Sequence, residues 1–238
     1  MNRINYQDNV ITASKFVSVG GRPIGSKEKL NAIRNTLGNN ENKLESKRIT
    51  EMLTDGILTP TEKAYLKSRW EFMTLAYSRL SEDIINAFGQ SGLSGYSDLG
   101  TLVNEIDGII HIATADMDVQ SSVPEGLDSK LNEFMIKYGE LSQAYSSSIM
   151  EILRYEVTIR SEKSSYFDGD TVNVIPTVKY DGTVIPNDDL KFDWYIDGIE
   201  DFTVHEDNHI SFSASKYTDS TSIRCSLHID VTSSLSSL

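Results

Sequence analysis

The sequence predicts an α+β multidomain chain: an antiparallel three-helix bundle followed by an immunoglobulin-like β-sandwich, with an extended N-terminal arm. Three observations carry this. Heptad-spaced apolar seams recur three times between Leu66 and Ile152. Short loops join them. From Val157 the apolar period changes to two, punctuated by turn signals. The expected domains are an arm at 1–25, short helices and a connector at 26–58, the bundle at 59–154, the sandwich at 155–232 and a frayed tail at 233–238.

The arm is read from β-forming residues. Val10, Ile11, Phe16, Val17 and Val19 favour extended chain, and Gly20-Gly21-Arg22-Pro23 is a turn signal. This is too little for a sheet of its own. It is either an arm that pairs with something else or a poorly ordered terminus. The arm is favoured because its apolar residues would otherwise be exposed. Val10, Ile11, Phe16, Val17 and Arg22 are therefore candidate assembly contacts. Ser26 to Leu37 then reads as a short helix with Leu30, Ile33 and Leu37 on one face. Gly38-Asn39-Asn40 ends it, and a strongly polar second helix runs from Glu41 to Leu53.

Thr59-Pro60-Thr61-Glu62 is a capping box with proline at the first helical position. Leu66, Trp70, Met73, Tyr77, Leu80, Ile84 and Ala87 follow at spacings of 4 and 3, a heptad seam. Gly89 after Phe88 suits the end of that helix. The loop before it resembles half of a calcium loop. Aligning Gly56 with the invariant glycine puts Glu51 first, Leu53 third and Asp55 fifth. Leucine offers no oxygen and Pro60 falls inside the loop, so a turn before a capped helix is the better account.

A flexible connection at 89–95 leads to a second helix near Ser97-Asp98, with seam Leu99, Val103, Ile106, Ile110, Ala113 and Met117. Pro124 opens a third, with Ser122 as its cap and seam Leu127, Leu131, Phe134, Tyr138, Leu141, Tyr145, Ser148 and Ile152. Three such helices joined by short loops run up, down and up, burying one another's seams.

Val157, Ile159, Val172, Val174, Pro176 and Val178 alternate with polar residues, Tyr180-Asp181-Gly182-Thr183 is a hairpin turn, and Phe192 to Gly198, His209 to Ser213 and Ser222 to Val231 complete about seven short strands. That rhythm suits an immunoglobulin-like sandwich. Trp194 is its natural core tryptophan. Cys225 lies where a second core cysteine would be, but the partner position near Val172 or Val174 is apolar, so packing replaces the bridge.

Composition bounds the function. The net charge is −13, but residues 1–55 hold nine Lys/Arg against six Asp/Glu, a net of +3, and the rest thirteen against twenty-nine, a net of −16. An acidic body disfavours nucleic acid. Its plain role is solubility; its sharper one is that the N-terminal segment docks on an acidic partner. No apolar run spans a membrane, and the N-terminus lacks a signal-peptide core. One cysteine excludes an intrachain disulfide and suits synthesis in a reducing cytosol.

No nucleophile elbow, zinc-protease motif, paired-cysteine motif or phosphate-binding glycine loop is present. The expectation is no enzyme, no catalytic residue, no metal and no cofactor. His205 and His209 sit in strand and turn surroundings, where a four-residue spacing need not converge on a metal. His111 belongs at the bundle edge and Cys225 in the core. Tyr180, Tyr195 and Phe202 are candidates for a sugar-binding patch, weighed against ordinary packing.

The order Thr54-Asp55-Gly56-Ile57-Leu58-Thr59-Pro60-Thr61-Glu62-Lys63, then Trp70 and Tyr77, then Phe134, Tyr138 and Leu141, then Phe192 to Gly198, resembles a helical-plus-Ig-like module of phages infecting Gram-positive bacteria. It occurs in their tail-tip and baseplate structural proteins. The resemblance covers about residues 50–232 and is one of pattern. It implies a non-enzymatic virion component of tail, neck or baseplate, made in the host cytoplasm and present in multiple copies among other virion proteins. With the acidic charge and the lack of a spanning apolar run, the expectation is no partner nucleic acid or membrane. The alternative is an adhesin module that binds host cell-wall glycan through the sandwich. An enzyme of unrecognised type is the third hypothesis.

Overall fold

The computed structural model describes residues 3–4, 15–19, 22–89, 93–162, 166–167, 170–196, 203–205, 209–213 and 223–229. In chain order, strands β1 (Arg3–Ile4), β2 (Lys15–Val19) and β3 (Arg22–Ile24) precede helix α1 (Ser26–Met52). A single turn at Leu53–Asp55 and strand β4 (Ile57–Leu58) lead to α2 (Pro60–Phe88), then α3 (Tyr96–Ala113), β5 (Ser121–Ser122) and α4 (Leu127–Ile152). The remainder is β6 (Tyr155–Ser161), β7 (Tyr166–Phe167), β8 (Thr171–Tyr180), β9 (Thr183–Ile185), β10 (Lys191–Ile196), β11 (Thr203–His205), β12 (Ile210–Ser213) and β13 (Ile223–His228). The chain is α+β, with four helices and several antiparallel sheets among the described residues. It divides into two compact units: residues 27–149, and residues 1–26 with 150–238.

In the helical unit, α2 is the helix its sequence calls for. Thr59 Oγ1 accepts from the Glu62 amide, and Glu62 Oε2 accepts from the Thr59 amide at 2.9 Å. Leu66, Trp70, Met73, Leu80, Ile84 and Ala87 are buried. Tyr77 is only half-buried; its hydroxyl lies 2.9 Å from where a Cβ on Gly100 would sit, so glycine lets α3 approach there. Hydrogen bonds fix the directions. Trp70 Nε1 donates to Asp107 at 3.0 Å and Ser81 bonds Tyr96 at 2.8 Å, so α2 and α3 are antiparallel. Trp70 meets Phe134 edge-on and Phe88 meets Tyr145 edge-on, so α2 and α4 run the same way.

Three expectations are corrected here. Residues 26–52 form one continuous helix, not two. Gly38 costs a helix interior about 1 kcal/mol, and contacts on both sides of it hold the helix through. Thr36 Oγ1 bonds Ser146 at 3.2 Å, and Thr50 donates to Asp128 at 2.9 Å, so α1 lies antiparallel to α4. The helices that pack together are therefore four, and the connector at 26–58 is mostly one of them. α4 begins at Leu127, three residues after Pro124, because Ser121–Ser122 instead pairs with Ile57–Leu58 as a short ladder. α3 stops at Ala113, leaving Met117 outside it.

The β unit holds a five-stranded sheet in the order β11-β10-β13-β2-β3, a four-stranded group of β12, β8, β6 and β9, and the short pair β1-β7. Period two sorts the side chains. Phe192, Trp194, Ile223, Cys225 and Leu227 from the first sheet share one buried cluster with Val157, Val172, Val174, Val178, Ile210 and Phe212 from the second. Cys225 pairs with Trp194 across β13 and β10, and no second thiol faces it. The β8–β9 turn takes positive φ at Asp181 (49°) and Gly182 (80°), the two-residue hairpin geometry Asp-Gly favours. The extended N-terminal segment, expected as an arm that pairs with something else, has its partner strand in the same chain. β2 runs parallel to β13, with Phe16 opposite Ser226 and Val17 opposite Leu227, and β3 extends the sheet beyond it. A stretch too short for its own sheet is satisfied by joining one in the same chain. The tail at 233–238 lies outside the described residues.

Candidate assembly surface

α1 carries two opposite faces. Residues 32, 35, 39, 42, 46, 49 and 53 recur at spacings of 3 and 4, the rhythm of a buried seam. Ala32, Asn35, Asn42, Ser46 and Ile49 are indeed buried. The opposite stripe is Leu30, Ile33, Leu37 and Leu44, exposed by 66%, 45%, 61% and 64%. The sequence predicts Leu30, Ile33 and Leu37 on one face, and they share one, but that face points to solvent.

Polar contacts hold the inward face. Asp83 of α2 is buried. It accepts from Asn31 Nδ2 at 2.7 Å and from Asn35 Nδ2 at 3.1 Å, and it pairs with Arg34. Farther along, Tyr65 donates to Glu45 at 3.1 Å, and the Arg69 guanidinium lies 3.3 Å from the same carboxylate. These contacts run α1 antiparallel to α2. Against α4 the fit is tight: a Cβ on Gly139 would come within 3.4 Å of the Asn39 amide. Both polar atoms of the Asn42 side chain are buried without a protein partner, as are Asn39 Oδ1, Ser142 Oγ and Ser148 Oγ. Tyr138 packs beside Gly38, and burial pushes its phenol up to about 12. Burial likewise raises the Tyr145 phenol.

On the outward side, α2 adds Phe72 and Leu75, exposed by 40% and 49%. Between the two helices lies a groove of about 380 Å³, whose walls include Leu30, Ile33, Leu37, Phe72, Leu75 and Arg79. Six large apolar side chains thus share one outward surface. It exposes on the order of 500 Å², in the upper part of the roughly 300–600 Å² range of a monomer's largest apolar patch, which is often a functional surface. A second groove of about 620 Å³ runs on the α4 side of α1, past Lys43, Lys47, Asn132 and Gln143 and the apolar Met135 and Ile136.

The sequence-predicted site residues fall elsewhere. Phe16, Val17 and Arg22 lie on strands β2 and β3. Val10, Ile11 and Phe202 are outside the described residues. Tyr180 and Tyr195 sit on different sheets, and each is engaged. The Tyr180 hydroxyl donates to Glu151 at 2.7 Å and the Arg154 guanidinium stacks 4.4 Å from its ring; the bond to Glu151 holds the phenol up to about 12. Glu151 is held below the usual carboxylate range by the same bond and by Arg154. Arg224 lies 5.5 Å from the Tyr195 ring. His209 is exposed in the turn before β12, and His205 ends β11. In the loop that resembles half of a calcium site, Asp55 Oδ1 accepts from the Ile57 amide at 3.0 Å, closing the turn before α2. Burial and nearby Asp193 raise the Cys225 thiol, so it is unreactive in the native fold.

The outward leucines were within reach of the sequence. Asn35 and Asn42 one heptad apart, with Ala32, Ser46, Ile49 and Leu53 in step, spell a seam whose back is the leucine stripe.

No protein-family model, curated protein or solved structure matches the chain. Among the described residues no helix is long and apolar enough to cross a membrane.

Proposed function

We propose that this chain is a non-enzymatic assembly protein that works through protein–protein contact, as a structural component of a phage particle in its tail, neck or baseplate. The observation that carries the contact role is the outward apolar surface of Leu30, Ile33, Leu37, Leu44, Phe72 and Leu75. Long helices spend their apolar residues on a core unless another surface needs them, and here one helix buries asparagines instead. The virion assignment rests on the pattern resemblance of residues 50–232. In this reading the helices are a spacer bundle, with α2, α3 and α4 as its three-helix kernel. The two sheets are an immunoglobulin-like sandwich. Residues 15–24 then serve the sandwich itself, and the docking role assigned to the arm passes to α1.

The test is incorporation. Mass spectrometry of purified particles is expected to find the chain, and particles assembled with a Leu37→Glu chain are expected to lack it. A chain absent from particles, or a Leu37→Glu chain present at normal copy number, would sink this reading.

A further inference from the structure

We infer that the outward face of α1 binds the same face of a second copy of this chain, with the two α1 helices antiparallel about a twofold axis near Gly38. This deepens the assembly reading above by naming the partner, and it rests on that reading for its biological setting.

The spacing comes first. Leu30, Leu37 and Leu44 are seven apart, and Ile33 lies three after the first. These fill three a positions and one d position of a two-helix seam, whose later d positions are the polar Asn40 and Lys47. An antiparallel pair sets a opposite d. Centred between Gly38 and Asn39, that rule sets Ile33 against Leu44 of the second copy, Leu37 against Asn40 and Leu30 against Lys47. All the large apolar side chains of the stripe then lie in one continuous contact.

Charge chooses the direction. In the antiparallel register the flanking Arg34 faces Glu41 of the second copy, and Glu41 faces its Arg34. Twofold symmetry makes both pairs at once. Lys29 and Lys43 then face Thr50 and Thr36, which are neutral. Only the ends bring like charges close, Lys27 towards Arg48, and Arg48 is already bonded to Glu45 at 2.9 Å. A parallel pair would set Lys29 against Arg34 and Lys43 against Arg48 on both sides, with no attractive pair to offset them. Arg34 keeps its bond to Asp83 and still has free donors, since its side chain is 49% exposed and a guanidinium carries five.

Size is consistent. The apolar surface of about 500 Å² per copy, with a charged rim, approaches the roughly 800 Å² per partner of a standard specific interface. The groove between α1 and α2 gives side chains of the second helix a recess to enter.

Sedimentation velocity of the whole purified chain tests this. The expected result is a dimer at micromolar concentration. Leu37→Glu should weaken it by more than about a hundredfold, because a leucine is lost from both copies, with helix content by circular dichroism unchanged. Arg34→Glu and Glu41→Lys should each weaken it by about tenfold, and an equimolar mixture of the two variants should re-associate, since every cross-pair is again opposite in charge. A wild-type chain monomeric at about 100 μM, or association indifferent to Leu37→Glu, overturns the inference. Variants that associate no better mixed than alone overturn the antiparallel register. Because Arg34 also touches Asp83, the mixture is read only with each variant's helix content matched to wild type, while the Leu37→Glu result stands by itself. A monomeric chain whose Leu37→Glu variant still fails to enter particles would refute self-pairing and leave the assembly reading intact.

Discussion

α1 and α2 are helices of nearly equal length, 27 and 29 residues, lying side by side, and they spend their side chains in opposite ways. α2 buries Leu66, Trp70, Met73, Leu80 and Ile84. α1 buries Ala32, Asn35, Asn42, Ser46 and Ile49 and shows its leucines to solvent. One is held by apolar packing, the other by a buried carboxylate and close approach of small side chains. A heptad seam therefore says where a helix is buried only when its apolar stripe is the one that faces the core. When a second stripe in step is small or amide-bearing, the apolar stripe is free for another partner.

Replacing core bulk on the α2 side should have the largest effect. Trp70→Ala removes an edge-on contact with Phe134 and a hydrogen bond to Asp107, and should cost about 3–5 kcal/mol in urea denaturation. Asp83→Ala should cost about 2–3 kcal/mol, since it strands Asn31, Asn35 and Arg34. Hydrogen exchange in that variant should quicken along α1 before α2. Equal quickening in both would mean α1 is not held separately.

The next effect is alkaline. Tyr138 has its folded value raised from about 10 to about 12 by burial. Its contribution is complete below pH 10 and is lost as pH rises through 12. A rise of that size corresponds to about 2–3 kcal/mol. Stability followed from pH 9 to pH 12 should fall through that window, and Tyr138→Phe should lessen the fall without abolishing it, because burial raises the Tyr145 phenol too. Asn42→Leu should move the other way. Both amide atoms of Asn42 are buried without a protein partner, so an apolar side chain of similar size should raise stability by about 1 kcal/mol. Smallest is Leu37→Asn, which at concentrations where the chain is monomeric should change stability by less than about 0.5 kcal/mol. A loss of several kcal/mol there would mean Leu37 is a core residue.

Much of this was legible beforehand. The capping box at Thr59, the seam of α2, the seam of α4 as far as Ile152 and the core role of Trp194 and Cys225 follow from spacing and residue type alone. Three features were not. Gly38-Asn39-Asn40 reads as a helix stop by local propensity, and tertiary contacts at Thr36 and Asn35 override it. Residues 15–24 read as an arm because strand partners distant in sequence, here β13, leave no local mark. The direction of that face of α1 leaves no local mark: Leu30, Ile33 and Leu37 read as one face, but Asp83, which draws Asn31, Arg34 and Asn35 inward, lies about fifty residues away. For the contact surface, the residue types were visible and only the direction they face was not.

The claim that α1 faces its asparagines inward and its leucines outward to a second copy is tested most directly by thiol labelling. Leu37→Cys and Asn42→Cys chains are compared over a concentration series, with the buried Cys225 as the internal slow thiol. The expected result is that position 42 is protected at every concentration, while position 37 labels rapidly in dilute solution and becomes protected as concentration rises. Rapid labelling at 42 with protection at 37 throughout would contradict it, because α1 would then have turned its leucines into the helical unit.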